Sequence, residues 1–378
     1  MRSELQAMTE PLLLTDLAES KRGPGRAWQG YMTSGTWARL ARRGGQVAYE
    51  VLCAAPHDLL RSLRNGTPEP SRMEPGVDPC AGATRIAMYV HYSAQGRISE
   101  MVRRQLLFLG RAGFAIVFIS MSTKIPEDDW QAVRGLCALV VQRSNAGRDF
   151  GAWQDLLPEL RRRWSVPDEL LLVNDSVLGP IHPIEPIIAA LRAGGDGLFG
   201  LTESLQGGPH LQSYMLLARG TTAVADLMHF IGSLFVSHSK WLLVQMSEIR
   251  LARWMRQRGH RVAALFGYDR LVRAAIADPN ERDRLMASHS KLAGLDRMSS
   301  DEAAKLLYTW PLNPTHHLWR VLVTRFNGPF MKRELILRNP GRLPGVADWP
   351  KFVPPDAPCP ASMLWDHLST MQPDMIAP

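Results

Sequence analysis

The sequence predicts an α/β chain built on a mostly parallel sheet with helices on both faces. Four apolar runs, at 86–92, 114–119, 136–141 and 170–173, are continuous rather than alternating, as expected of strands buried on both sides. Between them lie stretches with apolar residues at helical spacing, long enough to cross over between parallel strands. Composition agrees with this class. The 378 residues are 46% hydrophobic and 21% charged, which supplies a sizeable core and excludes wholesale disorder.

Residues 1–82 are punctuated by Gly, Pro and Arg and read as an irregular arm. Short helices are expected near 36–43 and 46–64, followed by a linker or strap over 65–82. A main domain over 83–298 follows. After the strand at 86–92, Ser99 is placed to cap a helix whose Val102, Leu106 and Leu109 share one face, closed by Gly110 and Gly113. The runs at 114–119 and 136–141 give two more strands. A polar loop then leads into a helix over 150–163. The strand at 170–173 precedes a Pro-rich crossover into a helix at 184–192. Strands at 197–201 and 211–218 and helices at 221–235 and 247–258 complete the domain. Residues 299–378 read as a helical C-terminal extension with a Pro-rich tail.

Charge and targeting signals narrow the partners. Lys and Arg total 44 against 36 Asp and Glu, giving +8, which favours anionic partners such as phosphorylated small molecules, nucleic acid or an acidic membrane surface. No basic stripe interleaved with aromatics occurs, so nucleic acid is the poorest match. Cys53, Cys80, Cys137 and Cys359 lie far apart without a CxxC, against a zinc cluster or disulfide framework. The most apolar stretch, 227–244, is interrupted by His229, His238, Ser239 and Lys240 and reads as a buried helix rather than a membrane span. The opening residues do not form a secretion signal. The expected location is the cytoplasm, with a peripheral place at the inner face of the membrane open to it.

Several nucleotide and hydrolase signatures are absent: no P-loop, no HExxH and no GxSxG. Gly195-Asp196-Gly197-Leu198-Phe199-Gly200 matches GxGxxG formally, but a helical pattern precedes it and a strand follows, the reverse of a dinucleotide fingerprint.

Three segments carry candidate chemistry. In Arg143-Ser144-Asn145-Ala146-Gly147-Arg148-Asp149, glycine permits close backbone approach and the following helix start offers N–H groups to an anion. Arg143 and Arg148 add cations suited to phosphate, and Asp149 suits ribose or sugar hydroxyls. The competing structural reading is Asp149 as an N-cap, with Phe150 and Trp153 in the core. In the second segment a buried strand delivers Asn174, Asp175 and Ser176. A divalent ion shared with a diphosphate needs only one or two protein oxygens, which these supply, while an Asx turn accounts for them equally. In the third, Glu248 opens a helix ending at Gly259. It is either aimed into a cleft or simply stabilised by the helix dipole. On that helix Arg250, Arg253, Arg256 and Arg258 crowd together, and their outer face suits an acidic lipid surface.

An asparagine–glycine loop, an acidic motif ending the next strand, then an acidic residue opening a helix resembles the order in GT-A-type glycosyltransferases. The segments NAGRDFGAWQDLL, ELLLVNDSVLGPI, GLFGLTES, HLQSYMLLARG and NPTHHLWRVLVTRFNGPFMKRELILRNP resemble, more narrowly, the rhamnan synthesis protein F family. This resemblance covers about residues 84–342. Arg148 departs from the aromatic residue expected in the family's NxGYDFG pattern, which puts donor contacts there in doubt.

The resemblance implies a GT-A-like fold and transfer of a deoxyhexose, L-rhamnose first, from a dTDP- or GDP-linked donor. The acceptor would be a growing cell-surface polysaccharide or lipid-linked saccharide. It implies Asn145, Gly147, Arg148 and Asp149, with Arg143 and Asn174, at the nucleotide diphosphate. Asp175 and Ser176 would face the diphosphate directly or through Mg²⁺ or Mn²⁺, and Glu248 would be the general base. His210, Gln212, Ser213 and Tyr214 lie between these motifs, where sugar or acceptor contact and a hydrogen-bonded core role are both open. His316, His317 and Trp319 are expected to pack the C-terminal helices. Lys332, Arg333 and Arg338 either approach a pyrophosphate-linked lipid acceptor or form a solvated basic helix face. The incomplete acidic motif, Asn-Asp-Ser rather than paired carboxylates, keeps a non-catalytic scaffold as the alternative function.

Overall fold

A computed structural model of the chain describes residues 11–18, 34–63 and 69–371. The strands in chain order are β1 (Thr15–Asp16), β2 (Arg72–Pro75), β3 (Arg85–His91), β4 (Ala115–Ser120), β5 (Leu139–Gln142), β6 (Glu169–Asn174), β7 (Val177–Leu178), β8 (Gly197–Ser204), β9 (His210–Leu211), β10 (Met215–Arg219), β11 (Arg261–Phe266) and β12 (Met331–Lys332). The main sheet runs β1-β11-β8-β10-β6-β3-β4-β5-β2, with β9 added beside β8. β5, β4, β3 and β6 are mutually parallel, as are β8 and β11. β10 lies antiparallel between β6 and β8. The chain is therefore mixed α/β with a mostly parallel sheet, as its continuous apolar runs predict.

Period-two alternation along each buried strand divides the core into two layers. Ala87, Tyr89, Ile116, Phe118, Leu171 and Val173 turn toward one face. There the helices Glu100–Arg111, Glu127–Arg134 and Glu185–Arg192 cover them, together with the C-terminal helices. Ile86, Met88, Val117, Ile119, Leu170 and Leu172 turn to the other face. They meet the helices Arg148–Trp164, Thr221–Gly232 and Arg250–Gln257. Ser99 caps its helix by accepting from Val102 N, as its position in the sequence implies. The same hydroxyl lies 2.7 Å from His367 Nδ1, tying the last helix, Ala361–Met371, to the main sheet's cover.

Several boundaries differ from expectation. One helix, Ser34–Leu63, replaces the two short ones expected in the N-terminal arm. Nor is the described part of that arm simply irregular. β1 pairs antiparallel with β11 at one edge of the sheet, and β2 pairs antiparallel with β5 at the other. Residues 1–10, 19–33 and 64–68 of the arm, and 372–378 of the tail, lie outside the described residues. The apolar stretch 227–244 is split: one helix ends at Gly232 and another begins at Lys240, capped by Ser239. From Lys240 the helical run continues without interruption to Gln257, passing through a π-turn at Gln245–Ile249. Among the described residues no helix is long and apolar enough to cross a membrane.

The basic helix after Glu248 is also partly committed. Arg256 donates to the carbonyls of Leu17 and Ala18 at 2.8 and 3.1 Å, which holds β1 in place. Arg258 pairs with Asp226 at 3.0 Å and covers the Trp254 ring. Arg250, Arg253 and Arg258 remain exposed, the last while paired with Asp226. The expected four-arginine lipid-facing surface thereby loses Arg256 to backbone carbonyls, and Arg258 has its charge paired by a carboxylate.

At the amino end of β6, buried Glu169 accepts from Arg192 at 2.7 Å and lies within 3.5 and 3.8 Å of Arg219 and Arg85. This charge cluster pins the strand ends opposite the candidate site. Gly197 explains the formal GxGxxG match without any nucleotide. Its φ is +149°, a region open essentially to glycine, and a Cβ there would stand 2.4 Å from the Arg261 carbonyl across the β8–β11 pair. Gly197→Ala is therefore expected to lower unfolding stability by about 2 kcal/mol or more, measured by denaturant melts. An unchanged midpoint would show that the glycine is dispensable to the sheet.

Candidate active site

The carboxyl ends of parallel strands are where an α/β sheet presents ligand-binding loops. Here β3, β4, β5 and β6 end at His91, Ser120, Gln142 and Asn174. Antiparallel β10 begins at the same edge, since Met215 is paired with Val173. Asn174, Asp175 and Ser176 therefore meet Ser213 and Tyr214 without any long excursion of the chain.

The loop before the helix Arg148–Trp164 has unusual backbone geometry. Gly147 is left-handed at φ 76°, and Arg148, a residue that rarely adopts such values, follows at φ 51°. No side chain caps this helix, so its first N–H groups are not satisfied in that way. Asp149 is thus not the N-cap. It sits in the first turn, where its carboxylate accepts from Asn174 Nδ2 at 2.8 Å. Phe150 and Trp153 pack in the core, as the structural reading had it. Asn145 and Arg148 lie on the exposed lip of the loop.

Arg143 does not join them. It is buried, bonded to Asp155 and to the Ala146 carbonyl, so its charge is spent inside the protein. Its expected role at a diphosphate is corrected on that ground. It instead braces the loop that carries Gly147.

The Asn174–Ser176 segment is an Asx turn: Asn174 Oδ1 accepts from the Ser176 amide at 3.1 Å and from the Ser176 hydroxyl. Asp175 is buried, and its Oδ2 accepts from the Tyr92 amide at 2.8 Å. Two cations from the C-terminal segment close over this turn. β12 pairs antiparallel with β7, setting Lys332 against Val177 and Met331 against Leu178. Lys332 Nζ donates to Ser176 Oγ at 2.8 Å, and the Arg333 guanidinium lies 3.5 Å from Asp175 Oδ2. The Arg333 amide also donates to the Ser176 carbonyl at 3.0 Å. Lys332 and Arg333 are thus not a solvated face. The sequence marks them as possible pyrophosphate contacts but not as neighbours of the acidic turn, because only the β7–β12 pairing brings them there.

Glu248 is not in a first turn either. It occupies the π-turn at Gln245–Ile249, within the run from Lys240 to Gln257, so helix-dipole stabilisation does not account for it. Such single-turn π-bulges recur at functional sites. Glu248 Oε1 accepts from the buried Ser213 hydroxyl at 2.7 Å, which aims the carboxylate along the β10 edge.

His210, Gln212 and Tyr214 are taken up by the protein. His210 Nδ1 lies 2.8 Å from the Gly208 carbonyl. Gln212 accepts from Thr202 Oγ1 at 2.8 Å and donates to Thr315 Oγ1 at 3.2 Å. The buried Tyr214 hydroxyl lies 3.2 Å from Thr202 Oγ1, and Lys332 stands over its ring. All three side chains are hydrogen-bonded within the protein. Ser213 alone reaches a candidate catalytic group. His316 and Trp319 are buried among the C-terminal helices, as expected of packing residues, and burial pulls the His317 imidazole below its ordinary range.

Electrostatics ties the cluster together. Burial pushes the Asp149 carboxyl up to about 6, reinforced by repulsion from Asp175 and Glu248 and opposed by Lys332 and Arg333. Burial pulls the Lys332 ammonium down, opposed by Glu248 and Asp149. Behind Asp175, burial also lowers His91 and His367, the latter to about 3, so both imidazoles are neutral near pH 7. A divalent ion would need free oxygens here. Asp175 Oδ2, Asn174 Oδ1 and Ser176 Oγ already accept protein donors, and Lys332 stands 2.8 Å from the last. Among the described residues no three His, Cys, Asp or Glu side chains converge to hold a metal. The Asp175–Ser176 pair does not fit the metal role expected of it.

Parts of the chain are similar to known proteins. An uncharacterized protein, y4gN, of Sinorhizobium fredii (strain NBRC 101917 / NGR234) is 26% identical over 195 residues, and the chain spans about half (50%) the length of that curated relative. A solved structure provisionally described as a nucleotide-diphospho-sugar transferase, from Desulfovibrio desulfuricans G20, aligns over 59% of this chain and 97% of its own at 11% identity, TM-score 0.30. The apo structure of the bifunctional glycosyltransferase WbbM aligns over 50% of this chain and 40% of its own at 8% identity, TM-score 0.27. Residues 116–274, which run from β4 into the helix after β11, match the model of rhamnan synthesis protein F.

Proposed function

We propose that this chain is an inverting glycosyltransferase that moves L-rhamnose from a nucleotide-diphosphate donor to a hydroxyl of a growing cell-surface saccharide. The observation that carries the reading is the convergence of three sequence-distant motifs at one sheet edge. Asp149 and Asn174 are bonded to each other, and Glu248 is held by Ser213 at the start of β10. The family match over 116–274 supports the same reading, and the rhamnose assignment rests on that family's name. The donor base and the acceptor are taken from the resemblance alone.

In this reading the uncapped helix start at Arg148 and the left-handed Gly147 receive phosphate oxygens through backbone N–H groups. Asp149 accepts a sugar or ribose hydroxyl, with Asn174 fixing the carboxylate. The acceptor hydroxyl attacks the anomeric carbon as the bond to the diphosphate breaks. Glu248 takes the hydroxyl proton, and the electron pair of the broken bond leaves with the diphosphate. The Ser213 hydrogen bond occupies Oε1 of Glu248 and orients the carboxylate for that transfer. A β-linked donor would give an α-linked product.

Two measurements test this. Glu248→Gln keeps shape but cannot accept the proton, so transfer from dTDP-rhamnose to a saccharide acceptor should fall by about 10²–10⁴ while donor affinity stays unchanged. Near-normal turnover in that variant would remove Glu248 from the base role. The second concerns Asp149. Burial holds its carboxyl at about 6 in the folded state, above the ordinary aspartate value of 3.8, so the folded state binds the extra proton between those values. Stability therefore rises as pH falls from about 6 to about 4, and the buried charge is a full burden above 6. Asp149→Asn should melt higher than the parent at pH 7.5, with the difference vanishing at pH 4. An equal difference at both pH values would show that the charge at Asp149 is not strained.

A further inference from the structure

The turn after β6 offers a diphosphate not a metal but two cations already in place. A divalent ion binds where oxygens converge with unshared lone pairs and net negative charge. At this turn the oxygens accept the Tyr92 and Ser176 amides, and two cations already stand against them: Lys332 on Ser176 Oγ at 2.8 Å and Arg333 by Asp175 at 3.5 Å. An ammonium in contact with a ligand oxygen repels a second cation from the same oxygen. The two side chains are positioned by backbone as well. Lys332 is paired with Val177, and the Arg333 amide donates to the Ser176 carbonyl. Gly179 allows this close passage, since a Cβ there would stand 2.4 Å from the Pro329 carbonyl.

We propose that Lys332 and Arg333 bind the pyrophosphate of a nucleoside-diphosphate donor directly, filling the charge-neutralising place that a divalent cation would otherwise hold. The inference rests on the glycosyltransferase reading above. The two cations are chemically complementary for this. The ammonium carries three donors, only one of them used by Ser176, and the planar guanidinium can present a fork of two N–H groups to phosphate oxygens. In the resting site they are balanced by Asp175, Asp149 and Glu248, which keeps two partly shielded cations from repelling each other into solvent. As the glycosidic bond of the donor breaks, negative charge grows on the leaving diphosphate. Cations fixed beside it stabilise that charge without reorganisation. Lys332 and Arg333 are far from the matched 116–274 segment in sequence, so the donor site is complete only when the C-terminal segment is docked.

Calorimetric titration of the full chain with UDP, dTDP and GDP, first in EDTA and then in excess Mg²⁺, tests the proposal. At least one nucleoside diphosphate should bind in EDTA, with an affinity that Mg²⁺ changes by less than about twofold. Lys332→Met and Arg333→Gln should each weaken it by about tenfold or more, an amount typical of losing one charge-assisted contact. Lys332→Arg should retain most of the affinity, which separates lost charge from a misfolded C-terminal segment. Binding that requires Mg²⁺, or binding undiminished in Lys332→Met, would overturn the proposal and leave the glycosyltransferase reading standing. Absence of binding by every nucleoside diphosphate under both conditions would overturn that reading, and this inference with it.

Discussion

The pairing of β12 with β7 is the contact on which the candidate site depends. It is only two residues long, Met331 with Leu178 and Lys332 with Val177, yet it joins segments more than 150 positions apart. Without it the Asn174–Ser176 turn would carry a buried carboxylate, Asp175, facing only an amide donor. Burying an uncompensated carboxylate is costly, so the short ladder and the two basic side chains it delivers stabilise each other. Gly179 and Pro329 sit where this crossing is tightest, and the glycine there is demanded by the neighbouring carbonyl. The C-terminal extension is thereby a structural part of the sheet edge rather than an appendage to it.

Charge in the cleft follows from the same contact. Burial, reinforced by repulsion from Asp175 and Glu248, raises the Asp149 carboxyl. Lys332 and Arg333 partly offset that repulsion, and the carboxylates in turn offset the burial of Lys332. A cleft balanced in this way can admit an anionic diphosphate beside the cations and a neutral hydroxyl beside Glu248. Ser213, two residues before β10, links the two halves by donating to Glu248 in the π-turn at Gln245–Ile249. The antiparallel placement of β10 is what starts that strand, rather than ends it, at the ligand edge.

Much of this was legible in residue order. The continuous apolar runs mark the buried strands because both of their faces are covered, and polar loops after such strands must lie at the sheet edge. Asp149, Asn174 and Glu248 stood out because acidic and amide groups there have no core to pack into. Arg143 stood out equally and was misleading. A cation in a loop looks the same in sequence whether it meets phosphate or, as here, buried Asp155 twelve positions later. Glu248 was found but its setting was not, since a π-turn leaves no periodic signature distinct from an α-helix.

The sequence by itself determined the fold class, the two-faced core and the loops that flank the site, because these follow from local periodicity and from the burial each strand requires. Tertiary structure alone decided which charges face one another. Lys332 and Arg333 read either as pyrophosphate contacts or as a solvated basic face until the β7–β12 ladder sets them on Ser176 and Asp175. Arg256 and Arg258 read as a free basic surface until β1 and Asp226 take them up. The physical reason is common to both cases: a charged side chain is defined by its partner, and a partner far along the chain is chosen by strand pairing, not by spacing.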